Sequence, residues 1–191
     1  MPASLSSKEE VLARLLEIFR QHGFEGASLA DLSQATGLGR SSLYHYFPGG
    51  KDEMVTSVLL HLDGLLEKAL YAPLQTMASP KKKLEVMLAV LNDFYEGGAK
   101  ACLLERLCAS AGRSVIRGPL RRSFDVWLTA FETLGVDGGI PRAEARSRAE
   151  DALARIEGAL VVVAGTGKKD VFARALDDLR VTLLAKRLRE R

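Results

Sequence analysis

Long apolar runs are missing from this chain. None approaches the roughly 20 residues that a membrane-spanning helix needs, so no membrane partner is expected. The N-terminal MPASLSSKEE carries no basic stretch followed by an apolar one, so the expectation is a cytoplasmic protein without a secretory signal. Cysteine is scarce as well. Cys102 and Cys108 are the only two, six residues apart in one helical pattern. They point to different faces, form no Cys-x-x-Cys unit, and are expected as buried reduced thiols. The three histidines, His22, His45 and His61, are scattered, and no His/Asp/Glu cluster has ligand spacing, so neither metal nor cofactor is expected.

Positive charge is also modest. The net charge is +3, and the first sixty residues are slightly acidic. Bulk charge therefore cannot vouch for a nucleic-acid partner, and any such reading must rest on local geometry. Catalytic motifs fail in turn. Gly165-Thr-Gly-Lys168 resembles half a P-loop, but the first glycine would fall at Val162. Cys108-Ala-Ser110-Ala-Gly112 lacks the leading glycine of a nucleophile elbow, and no strand precedes it. No catalytic residue is assigned and no enzyme is expected.

What remains is helix. With 47% hydrophobic and 27% charged residues among 191, the chain is expected to fold. Period-3.6 patterning runs throughout, with one ambiguous strand candidate at Ala159–Ala164. Ser7 and Glu10 stand in capping-box spacing before a first helix that stops at Gly23. Ser28 and Asp31 repeat the device for a second, whose Leu29, Leu32 and Ala35 face inward. Thr36-Gly37-Leu38 supplies a turn, and a third helix spans about Gly39 to Tyr46. A fourth runs from near Lys51 to about Tyr71, and Ser79-Pro80 starts a fifth. Stretches at about Ala101–Ala111 and Pro119–Leu134 are read as interrupted by Gly112 and Gly118. Gly135–Pro141 reads as a loop, and two long helices follow, about Arg142–Ala164 and Lys169–Arg189. The fold class is all-α with about nine helices: a three-helix head over 1–50 and a larger body over 51–191, linked by helix four.

Two short helices joined by a glycine turn form a helix-turn-helix, which places its second helix in the DNA major groove. Such a helix needs a thin exposed face to seat in a groove about 12 Å wide. Arg40, Ser41, Ser42, Tyr44 and His45 supply that face, with Leu43 and Phe47 behind it. Arg40 can donate a bidentate pair to guanine. Tyr44 and Tyr46 can hydrogen-bond phosphate, and Lys51 adds its charge to a helix N-terminus. Ser28, at the start of the second helix, is grouped with these DNA-contacting residues.

The run GFEGASLADLSQATGLGRSSLYHYFPGGKDEM resembles the N-terminal domain of the TetR family of bacterial transcriptional regulators. The likeness spans about Ser7 to Leu60. It rests on the glycine–aromatic pair after helix one, the Ser cap of helix two, Leu-Tyr-x-x-Phe, and a Lys followed by acidic residues. Gly39 stands where the family usually has Ser or Thr. Pro48-Gly49-Gly50 is one residue longer than the common linker, a form similar to the LmrA/YxaF-like subgroup. The resemblance implies a repressor that binds a palindromic double-stranded operator as a homodimer and is released by a small-molecule inducer.

The last two helices carry more apolar surface than one face needs, which suggests a four-helix dimer interface. Ala149, Leu153, Ile156, Leu160, Phe172, Leu176, Leu179 and Leu183 are its candidates. Leu62, Leu66, Phe94, Tyr95, Cys102, Leu103, Trp127 and Phe131 are candidates for a pocket that takes a hydrophobic or aromatic ligand. Lys81-Lys82-Lys83 reads as a solvated face. A cysteine-based redox-sensing regulator and a helical binding protein without DNA binding stay open as further readings.

Overall fold

A computed structural model describes residues 7–185, and within them the chain is all helix apart from turns. In chain order the helices are α1 (Lys8–Gly26), α2 (Leu29–Thr36), α3 (Arg40–Tyr46), α4 (Gly50–Leu74) and α5 (Pro80–Phe94), then α6 (Leu103–Cys108), α7 (Ser114–Asp137), α8 (Arg142–Thr166) and α9 (Asp170–Thr182). The ambiguous run Ala159–Ala164 lies inside α8. The expected extension of the last helix to Arg189 falls partly outside the described residues.

The chain divides into two compact units, Met1–Leu65 with Cys102–Phe124, and Leu66–Ala101 with Asp125–Arg191. In the first, α1 packs on α2 and α6, and α2 on α3. Its core holds Val11, Leu15, Phe19, Leu32, Leu43, Phe47, Met54 and Leu107. In the second, α8 packs on α9 and α5 on α9. An aromatic cluster forms there: Tyr95 stacks on Trp127 at 6.4 Å and meets Phe172 edge-on at 5.8 Å, and Trp127 lies 5.9 Å from Phe131.

Several helix boundaries depart from the sequence reading, each for a packing reason. Gly118 and Pro119 do not interrupt α7, which begins at Ser114. The Arg113 carbonyl accepts from the Ile116 and Arg117 N–H groups at 3.1 and 3.0 Å, so the first turn forms before the proline is reached. Burial of Ile116 and Leu120 on one face then offsets the hydrogen bond that Pro119 cannot make. Gly135 is not in a loop either. A Cβ there would lie 2.9 Å from Ala145 Cβ, so this glycine lets α7 and α8 approach closely. The chain leaves the helix only at Gly138.

Side-chain placements also differ. Lys83 is not on a solvated face: it is buried, with Nζ 2.6 Å from Asp137 Oδ2, which joins α5 to the end of α7. Cys102 is buried before α6, but Cys108, the last residue of α6, is exposed. Leu29 and Ala35 are half-buried, and only Leu32 of that trio is fully inside. All eight residues chosen for a dimer interface are buried within the single chain, from Ala149 and Ile156 at 0% exposure to Leu153 at 7%. The apolar stripe of each helix thus packs into the chain's own core.

Candidate nucleic-acid interface

The first unit builds its presenting surface from two caps and a glycine turn. The Ser7 hydroxyl accepts from the Glu10 N–H at 3.2 Å, and the Ser7 N–H donates to Glu10 Oε2 at 3.3 Å, which starts α1. Ser28 and Asp31 repeat this at α2, with 3.2 Å to the Asp31 N–H and 2.9 Å back from the Ser28 N–H. The Ser28 hydroxyl, foremost, and then its backbone N–H hold the Asp31 carboxyl below the usual carboxylate range. Ser28 thus caps the helix that supports the presenting one.

The turn between α2 and α3 is over-determined. Gly37 adopts φ +71°, a left-handed conformation that glycine enters without a Cβ penalty. Ser33 Oγ donates to the Leu38 carbonyl at 2.6 Å, Thr36 Oγ1 to the Leu32 carbonyl at 2.7 Å, and Arg14 Nη1 of α1 to the Thr36 carbonyl at 3.2 Å. At the end of α2 the Thr36 carbonyl is thus held by Arg14 and that of Gln34 by the Gly37 N–H, which tie down the turn into the next helix. Sequence reading placed Thr36 in the turn but missed its bond and the parts of Arg14 and Ser33, because their partners are backbone atoms with no sequence signature.

On α3 the faces separate cleanly. Leu43 and, just after the helix, Phe47 are fully buried, whereas Arg40, Ser41, Ser42, Tyr44 and His45 are exposed. Tyr46 is half-buried between His45 and Phe47, its ring 6.3 and 6.2 Å from theirs. Gly39 starts the helix with no side-chain cap. This helix is short, polar and thin on its open side, and it makes no arrangement for bond-breaking chemistry.

Lys51 lies one residue inside α4, with Nζ 4.7 Å from the centroid of Phe24, a distance suited to a cation–ring contact. Burial above all pulls its pKa below the ordinary lysine value. Glu25 opposes that shift and Arg113 adds to it. Beside it, the Gly49 N–H donates to Glu53 Oε2 at 2.6 Å, so α4 caps its own start.

The pocket candidates fall in both units. Leu62, Cys102 and Leu103 are buried in the first, and Leu66, Tyr95, Trp127 and Phe131 in the second, with Phe94 half-buried there. Trp127 is fully buried, and its Nε1–H finds no acceptor among the described residues.

An exposed polar recognition helix, held by a glycine turn and two capped helices, defines a helix-turn-helix DNA-binding protein. Comparison with known proteins places this head among regulators of similar build. Residues 11–58 match the family described as bacterial regulatory proteins, tetR family. The HTH-type regulators YxaF and LmrA of Bacillus subtilis are 19% and 21% identical to the chain; each alignment covers 82% of it, and 84% and 85% of the two relatives. The crystal structure of a TetR transcriptional regulator from Legionella pneumophila shares the fold. It superposes with a TM-score of 0.84 at 17% identity over 94% of this chain and 97% of that one. Residues 11–58 thus form a DNA-binding domain of the tetR family, and the chain is a DNA-binding transcriptional regulator and not an enzyme. Among the described residues, no helix is long and apolar enough to cross a membrane.

Proposed function

We propose that this protein is a ligand-responsive repressor that binds a palindromic operator as a homodimer in the cytoplasm. The observation that carries the reading is the clean division of α3 into a buried anchor, Leu43 with Phe47, and an open face of Arg40, Ser41, Ser42, Tyr44 and His45. In this reading Arg40 and His45 address base edges, and Ser41 and Ser42 let the backbone approach. Tyr44, Tyr46, Lys51 and the start of α2 at Ser28 lie toward phosphate.

Support for the dimer comes from the faces of α8 and α9 that the core leaves open. Asp151, Arg155, Gly158 and Val162 follow each other at helical spacing on α8, and Val171, Arg174 and Asp178 do so on α9. Arg155 pairs with Asp178 between the two rows. Such a mixed small, apolar and charged strip suits an isologous contact with a second copy. Support for an inducer comes from the aromatic cluster of the second unit, where the Trp127 N–H lacks an acceptor among the described residues. A buried donor left unpaired costs about 1–3 kcal/mol, which a ligand carbonyl or hydroxyl oxygen would recover. The inducer class is thus a small aromatic or hydrophobic molecule bearing one acceptor, with Leu66, Phe94, Tyr95 and Phe131 as the apolar lining.

Selection of bound genomic fragments by the full chain tests this reading. A two-fold symmetric motif should emerge, with affinity falling steeply as salt rises. Recovery of no motif would overturn it and favour a helical binding protein without DNA contacts. A redox-sensing role would fall to the exposed Cys108. In that case Cys108→Ser removes an oxidant response of operator binding, and an unaltered response dismisses the role.

A further inference from the structure

The turn after α6 reaches back to the DNA-presenting head through one side chain. Arg113 Nε donates to Glu25 Oε1 at 2.9 Å, a contact 88 residues apart in sequence. Its guanidinium carbon lies 4.8 Å from the centroid of Phe24, the same ring that holds Lys51 Nζ at 4.7 Å. Its Nη1 also comes within 4.0 Å of Asp52 on α4. Close by, the helical course of α1 breaks at Gly23, and a Cβ there would lie 3.5 Å from the Arg106 carbonyl of α6. So Arg113 touches the end of α1 and the start of α4 at once, while α6 itself lies against the break in α1.

We propose that Arg113 is a positioning residue for DNA binding: a clasp by which the α6–α7 turn holds the end of α1 and the Lys51 end of α4 in one geometry. The proposal deepens the DNA-binding reading and rests on it. Arg113 acts by pre-ordering the head. Without the clasp, the head must be ordered when DNA binds, and that cost appears as lost affinity. Anything that displaces the turn after α6 would act on the operator through the same side chain. Arginine suits the role because its planar fork can bond Glu25 while its face lies on a ring, which the point charge of lysine cannot reproduce.

The test uses the full chain with Arg113→Ala, Glu25→Ala, the double variant and Arg113→Lys. Arg113→Ala should speed amide exchange over residues 23–27 and 50–53 by about threefold to tenfold, the size of an exposed ion pair plus a cation–ring contact. Exchange in α8 and α9 should not change. Operator affinity should fall by about the same factor, and Glu25→Ala should add nothing in the Arg113→Ala background. Arg113→Lys should fall between wild type and alanine, and it carries the same measurement if the alanine variant does not fold. The salt slope of operator binding should stay constant. A slope reduced by about one would make Arg113 a direct phosphate contact and overturn the clasp. Unchanged exchange in the head, or additive effects of the two alanines, would overturn it too. If the wild-type chain selects no operator, the DNA-binding reading fails, and the exchange measurement still decides whether the clasp exists.

Discussion

Arg40 makes no hydrogen bond or ion pair within the described residues, and it projects from the first turn of a helix whose other side is buried. In the proposed readout its guanidinium therefore breaks no existing partnership on meeting a base edge, so its contribution to binding should be close to its whole contact energy. Arg40→Ala should relax specificity at one position of each half-site by about 1–3 kcal/mol and leave other positions alone. Competition binding against operators with single-base changes reads this directly; uniform weakening at every position would instead assign Arg40 to phosphate. The exposed face of α3 was legible from sequence because exposure on a short helix follows from which residues are apolar. The setting of Lys51 was not legible, since no spacing rule foretells that Phe24 and Arg113 meet it.

Asp31 gives the residue scale a pH signature. Its carboxyl is held below the ordinary aspartate value of 3.8 by Ser28 in the folded state, so the unfolded chain binds the proton more readily. Stability from this cap is fully present above that value and is lost as pH falls through the lower folded value. Asp31→Asn should therefore flatten the acid limb of a melting-temperature profile below pH 3.8 without altering its alkaline limb. An acid limb identical to wild type would remove the cap from the account of how α2 is started.

At the scale of elements, caps read well and glycines did not. Ser7, Ser28 and Ser79 each accept a hydrogen bond from the helix they precede, as their spacing to Glu10, Asp31 and Pro80 implied. Glycine was ambiguous because it serves turns and close packing alike. Gly118 lies inside α7, and a Cβ there would meet nothing within 4 Å, whereas a Cβ on Gly98 would meet Phe172 Cβ at 2.7 Å, at φ +90°. The two should respond oppositely to alanine. Gly118→Ala should stabilise the chain by about 0.5–1 kcal/mol through helix propensity. Gly98→Ala should destabilise it by about 2–5 kcal/mol through overpacking and backbone strain combined. Denaturant midpoints compare them on one scale; equal effects would mean that the contact at Phe172 yields without cost.

For the whole molecule, periodicity pointed to the apolar faces of α8 and α9 as an association surface, and those faces are buried within the single chain. The widest apolar stripes of α8 and α9 are the first to be buried, and the chain buries them itself. The proposed interface between copies is left with residues that periodicity ignores: glycine, an arginine–aspartate pair, and valines such as Val162, which is 43% exposed. This distinction separates two substitutions on one helix. Ile156→Ala removes a fully buried side chain and should cost about 2–5 kcal/mol of folding stability. Val162→Arg places charge on an open face, so the melting temperature should barely move, while sedimentation shifts from dimer to monomer. Two heads no longer joined must bind their half-sites independently, and operator affinity should fall by about 10²–10⁴-fold with the loss of the shared effective concentration. A Val162→Arg protein that still sediments as a dimer would place the contact elsewhere on the second unit; one that is monomeric yet binds the full operator undiminished would show that a single head suffices.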